Sequence, residues 1–77
     1  MKTLIVKYEN QVRFLITAHP DYRFDRLQEQ MPVQLTLFGV TNVKAKDIQT
    51  RFANLAIKGT LWYRLTDEFE EYLSRIV

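Results

Sequence analysis

The passage Arg23–Pro32, with the alternation Val33, Leu35, Leu37 behind it, constrains the fold most tightly. Phe24, Leu27 and Met31 recur at helical spacing from Tyr22 onward. Pro32 ends that helix, because its ring clashes with the preceding turn and it has no amide hydrogen to donate. The period then changes to two, which predicts a strand over Val33–Val40, loosened near its end by Gly39. A helix that runs straight into a half-apolar strand has one stripe to bury, and a sheet is the nearest surface for it.

Two earlier runs supply that sheet. Thr3–Tyr8 sets Leu4, Val6 and Tyr8 against Ile5 and Lys7, and Val12–Thr17 sets Val12, Phe14 and Ile16 against Arg13 and Leu15. Both are rich in β-branched and aromatic residues and of strand length. Glu9-Asn10-Gln11 is a short polar connection, so the two runs form an antiparallel hairpin. Their second faces are mixed, which predicts one side of the sheet to be only partly covered. His19 precedes a proline and is biased away from helix, leaving Asp21 as the expected cap of the first helix.

Further along, Thr41 or Asn42 is expected to cap a second helix over roughly residues 43–58, with Ala45, Ile48, Phe52, Leu55 and Ala56 on its apolar side and Gly59 at its end. Leu61–Leu65 reads as an extended link. Thr66, followed by Asp67 and Glu68, caps a third helix whose stripe is Phe69, Tyr72, Leu73 and Ile76. The sum is a single α+β domain over residues 1–77, in the order ββαβαα, with helices packed on a three-stranded antiparallel sheet.

Seventy-seven residues without a cysteine leave packing or self-association as the only means of holding a small core together. Aromatic residues at 13% help, since each buries a large area. No apolar run approaches the ~20 residues of a membrane span, and Lys7 ends the N-terminal apolar run too early for a secretory leader. No membrane partner is expected, and a cytoplasmic location is the default. The net charge of +2 is uneven: residues 1–60 carry +4 and residues 61–77 carry −2. A mildly basic body favours phosphate-bearing partners.

Three pieces in order resemble the small phage and bacterial branch of the GIY-YIG endonuclease-like superfamily. Arg13-Phe14-Leu15-Ile16-Thr17 is similar to that branch's Lys-Ile-Gly-x-Thr strand, without the glycine. Arg23, Leu27, Gln28 and Pro32 match Arg-x-x-x-Leu-Gln-x-x-x-Pro at each spaced position, and Trp62-Tyr63 resembles the aromatic pair near the end. The likeness covers about Val12 to Thr66. It implies a GIY-YIG-like fold and phosphodiester chemistry, in which strand tyrosines position the nucleophile, an arginine stabilises phosphate charge and a helix glutamate holds a divalent metal. Arg23 fits the arginine and Tyr8 is the available strand tyrosine, so Tyr8 and Arg23 are the catalytic candidates if the domain cleaves. By the family's spacing the glutamate position falls at Ala45, which cannot bind a cation. Asp47 lies two residues on, turned by about 200° around the helix. The implied member is catalytically degenerate, with no metal-ligand set, and magnesium enters only with an active nuclease.

Each candidate also has a plain structural reading. Arg23 could pair with Asp21 or Glu29 instead of a phosphate. Tyr8 could be an ordinary sheet residue, and His19 has no cysteine or second histidine with which to share a metal. Trp62 and Tyr63 could stack on bases or anchor the core under the third helix. Asp67, Glu68, Glu70 and Glu71 suit a solvated helix start. Three functions follow: a non-catalytic DNA- or RNA-binding module using Arg13, Arg23, Arg26 and Lys7; a regulatory module that binds a partner protein or another copy of itself; and, behind both, a nuclease with a rearranged metal site built on Asp47 or the C-terminal acids.

Overall fold

The computed structural model describes all 77 residues. Strands β1 (Lys2–Tyr8) and β2 (Gln11–Thr17) form the hairpin, followed by helix α1 (Pro20–Gln30), strand β3 (Thr36–Thr41) and helix α2 (Ala45–Arg51). A single 3-10 turn (Ala53–Leu55), strand β4 (Tyr63–Arg64) and helix α3 (Asp67–Ile76) complete the chain. The sheet is antiparallel in the order β3-β1-β2-β4. The α+β class is as the sequence predicts, but the sheet has four strands rather than three. No helix is long and apolar enough to cross a membrane.

The β1–β2 loop is two residues long rather than three, because Gln11 joins β2, and this fixes the register: Tyr8 lies opposite Gln11, Val6 opposite Arg13 and Leu4 opposite Leu15. Glu9 takes φ 52°, the left-handed conformation that so short a loop needs. The fourth strand comes from Tyr63 and Arg64, which pair with Val12 and Gln11. The Leu65 amide donates to the Asn10 carbonyl at 2.7 Å, tying this strand to the hairpin loop.

Both faces of the sheet are covered, where only one full covering was expected. On one face Ile5, Val12 and Phe14 pack with Ile48, Phe69 and Leu73 of α2 and α3. Phe52 stacks on Phe69 with ring centroids 4.1 Å apart, and Phe14 meets Tyr63 edge-on at 5.6 Å. On the other face Leu4, Val6 and Leu15 pack with Leu27 of α1 and with Leu35. Aromatic burial of this kind supplies what a short chain lacks in core volume.

Element ends differ from expectation for local reasons. Helix α1 starts at Pro20, where the missing amide hydrogen costs nothing; His19 occupies the cap position and Asp21 sits in the first turn. Strand β3 begins only at Thr36, because Gln28 holds the preceding loop away from the sheet. Its side-chain amide donates to the Val33 carbonyl, and its oxygen accepts from the Leu35 amide, both at 2.7 Å. The β1–β3 register slips between Ile5 and Val6, so Gly39 pairs with Ile5 and Leu37 with Val6. Helix α2 is capped at Lys44 and ends at Arg51, far short of residue 58. Thr41 serves the turn instead, its hydroxyl accepting from the Val43 amide at 3.1 Å. Gly59 keeps the positive φ expected of it (81°), but within the turn before β4. Helix α3 is as predicted: the Thr66 hydroxyl accepts from the Phe69 amide at 3.2 Å.

Candidate nucleic-acid interface

The strand period decides which candidates meet. Val6 faces α1, and Arg13, directly opposite it, faces α1 as well. Arg23 is four residues before the buried Leu27 and shares its side of the helix. The two guanidinium groups therefore approach one another across the gap between β2 and α1. Burial, and after it the charge of Arg23, holds the Arg13 guanidinium below its ordinary pKa.

Neither arginine has an acidic partner. The chain's ion pairs are Lys7 with Glu70 and Arg75 with Glu71, both elsewhere. Asp21, Asp25 and Glu29, the carboxylates of α1, are exposed and unpaired with Arg23. Two like charges drawn together without a counter-ion weaken a fold unless an anion arrives from outside.

Half-buried aromatic side chains share the α1 side of the sheet with the pair. Tyr8, Phe24 and Trp62 all pack on the α1-side core. The β2–β4 pairing of Val12 with Tyr63, carried one residue further, sets Trp62 beside Arg13. Trp62 and Tyr63 thus part company: Tyr63 enters the core beneath α3 and Trp62 borders the arginines. The Trp62 position depends on β4, an element that pattern reading does not find.

The remaining candidates lie apart. Arg26 is exposed one turn after Arg23 and rotated about 60° from it, on the outer flank of α1. Lys7 leaves the group altogether: its neighbours in the strand period are Thr3 and Ile5, so it points to the α2/α3 face, where its ammonium lies 3.8 Å from Glu70. A three-residue connection at Glu9-Asn10-Gln11 would set Lys7 opposite Arg13; the two-residue loop pairs it with Val12 instead. His19 donates its backbone amide to the Thr17 hydroxyl at 3.0 Å and caps no helix with its ring.

The residues do not fit the metal that the resemblance implies. Ala45 is buried among Ile48, Phe52 and Phe69, on the opposite side of the sheet from Arg23. A carboxylate there would face phenyl rings rather than a phosphate held by Arg23. Asp47 is exposed on α2, and Glu70 and Glu71 are engaged in their own pairs. Asp67 and Glu68 border a shallow cleft with Arg51 and Phe52, again on the α2/α3 side. No group of three His, Asp or Glu side chains comes together anywhere in the chain.

Family models, curated proteins and solved structures yield no match to this chain.

Proposed function

We propose that the protein is a non-catalytic, GIY-YIG-like nucleic-acid-binding domain whose α1 face holds backbone phosphates between Arg13 and Arg23. The observation that carries this reading is the unneutralised arginine pair. A phosphate accepts from two guanidinium groups at once and removes their mutual repulsion, so binding is favoured by both terms. Arg26 extends the contact along the helix. Trp62 and Tyr8 offer aromatic surface beside the phosphate site, which suits unpaired bases. Lys7 is no part of the contact surface.

Fluorescence anisotropy with a labelled single-stranded oligonucleotide, a duplex and an RNA tests the reading. Two or three phosphate contacts predict that log K falls with log salt at a slope of about −2 to −3. Arg13→Gln and Arg23→Gln each lower affinity several-fold and flatten that slope by about one. Affinity no better than that of an unrelated protein of charge +2 overturns it. A magnesium-dependent nicking assay is expected to give no product; cleavage that disappears in Arg23→Ala would instead support the nuclease.

One observation favours self-association as a second reading. Strand β3 is an edge of the sheet, carries no charge from Thr36 to Thr41, and exposes Leu37 by 42%. Such an edge can pair with the same edge of another copy. Light scattering at high concentration decides it, a clean monomer counting against.

A further inference from the structure

We propose that a second anion site, separate from the arginine pair, lies in the cleft between the start of β1 and the turn into α2, and that it takes a small anion bearing an apolar body, the chemistry of a nucleoside monophosphate. The cleft has a volume of about 330 Å³ and is lined by Lys2, Lys44 and Lys46, with Ile16, Thr3 and Ala45 beneath. That volume is at the lower end of ligand-binding cavities and suits a single nucleotide.

Charge and floor point to the same ligand class. Three ammonium groups border the cleft and no carboxylate does. Lys44 and Lys46 take part in no ion pair. The Lys2 ammonium donates to Asn42 Oδ1 at 3.1 Å, which holds it across the cleft between the strand end and the turn. The Thr3 hydroxyl, donating to the Val43 carbonyl at 2.7 Å, fixes that turn from below. Ile16 projects from β2 directly opposite Thr3, beyond the cover of α2 and α3, and is 60% exposed. An exposed isoleucine with lysine stems around it offers apolar contact to a base or ring, while the ammonium ends reach the anionic group.

The test is a titration of the full chain, followed by amide NMR, with adenosine monophosphate, adenosine and inorganic phosphate in separate arms. The nucleotide is expected to shift the amides of Thr3, Ile16 and Lys46 along a saturation curve of their own, distinct from any movement of Arg13 and Arg23. Adenosine and phosphate should each bind at least tenfold more weakly than the nucleotide. A Lys44→Ala/Lys46→Ala variant, both positions exposed, should melt as the parent does and lose at least tenfold in nucleotide affinity. Absence of shifts at the cleft, equal affinity for phosphate alone, or undiminished binding by the variant each overturns the proposal. Shifts confined to Arg13 and Arg23 also overturn it, while leaving the nucleic-acid reading standing.

Discussion

The two faces of the sheet solve different problems. Under α2 and α3, Phe14, Phe52, Phe69 and Tyr72 interlock, and several rim charges have partners: Lys7 with Glu70, Arg75 with Glu71, and Arg51 over the Tyr72 ring, whose centroid is 4.7 Å from its guanidinium carbon. Under α1 the core is aliphatic, the aromatic residues are only half-buried, and the two arginines remain unneutralised. One face carries the aromatic share of the core. The other tolerates an electrostatic penalty, which is what a binding surface for anions requires in its empty state.

Substitutions on the two faces should therefore separate stability from binding. Phe69→Ala removes a fully buried ring that touches both Phe14 and Phe52. It should cost about 3–5 kcal/mol, read by urea denaturation, and leave a chain this small largely unfolded. Gln28→Ala unmakes the clasp on the loop before β3 and strands a half-buried amide and carbonyl. It should cost about 1–3 kcal/mol in the same assay, while a Gln28→Glu variant keeps only the acceptor half.

Smaller effects sharpen the contrast. Arg23→Gln removes the like charge beside Arg13, so thermal melting at low salt should show no loss of stability and a gain of at most about 0.5 kcal/mol, discounted for solvent screening at so open a site. The penalty persists at every pH at which both groups are charged, so salt is the lever: added salt should stabilise the parent more than this variant. Lys7→Gln breaks an exposed pair with Glu70 and should change stability by less than about 1 kcal/mol and nucleic-acid affinity by less than twofold. Glu9→Gly relieves a left-handed glutamate and should raise stability by no more than about 1 kcal/mol.

Sequence pattern reaches some of this and stops at identifiable places. The two strands of the hairpin, the start of α3 at Thr66 and the stop at Pro32 are legible because strand period, caps and proline act locally. Strand β4 is not, since two residues carry no period and Tyr63–Arg64 becomes a strand only by lying beside Gln11 and Val12. The end of α2 is hidden too: Leu55 and Ala56 keep helical spacing with Phe52, yet the backbone leaves the helix at Phe52 itself. Of the site, Arg13 and Arg23 were visible as charges. Their meeting required the side of the sheet on which α1 lies, a tertiary fact. Lys7 is the instructive case: with Gln11 counted in the loop it would lie opposite Arg13, and only the entry of Gln11 into β2 moves it to the other face.

The central claim is tested most directly by two doubly substituted chains that lose the same charge from opposite faces. Arg13→Gln/Arg23→Gln and Lys7→Gln/Arg75→Gln each lower the net charge by two, and oligonucleotide affinity is measured for both at one low salt concentration. The account predicts at least a tenfold loss for the first and less than a threefold loss for the second. Equal losses would mean that only overall charge matters, and the arginine pair would have no claim to be a site.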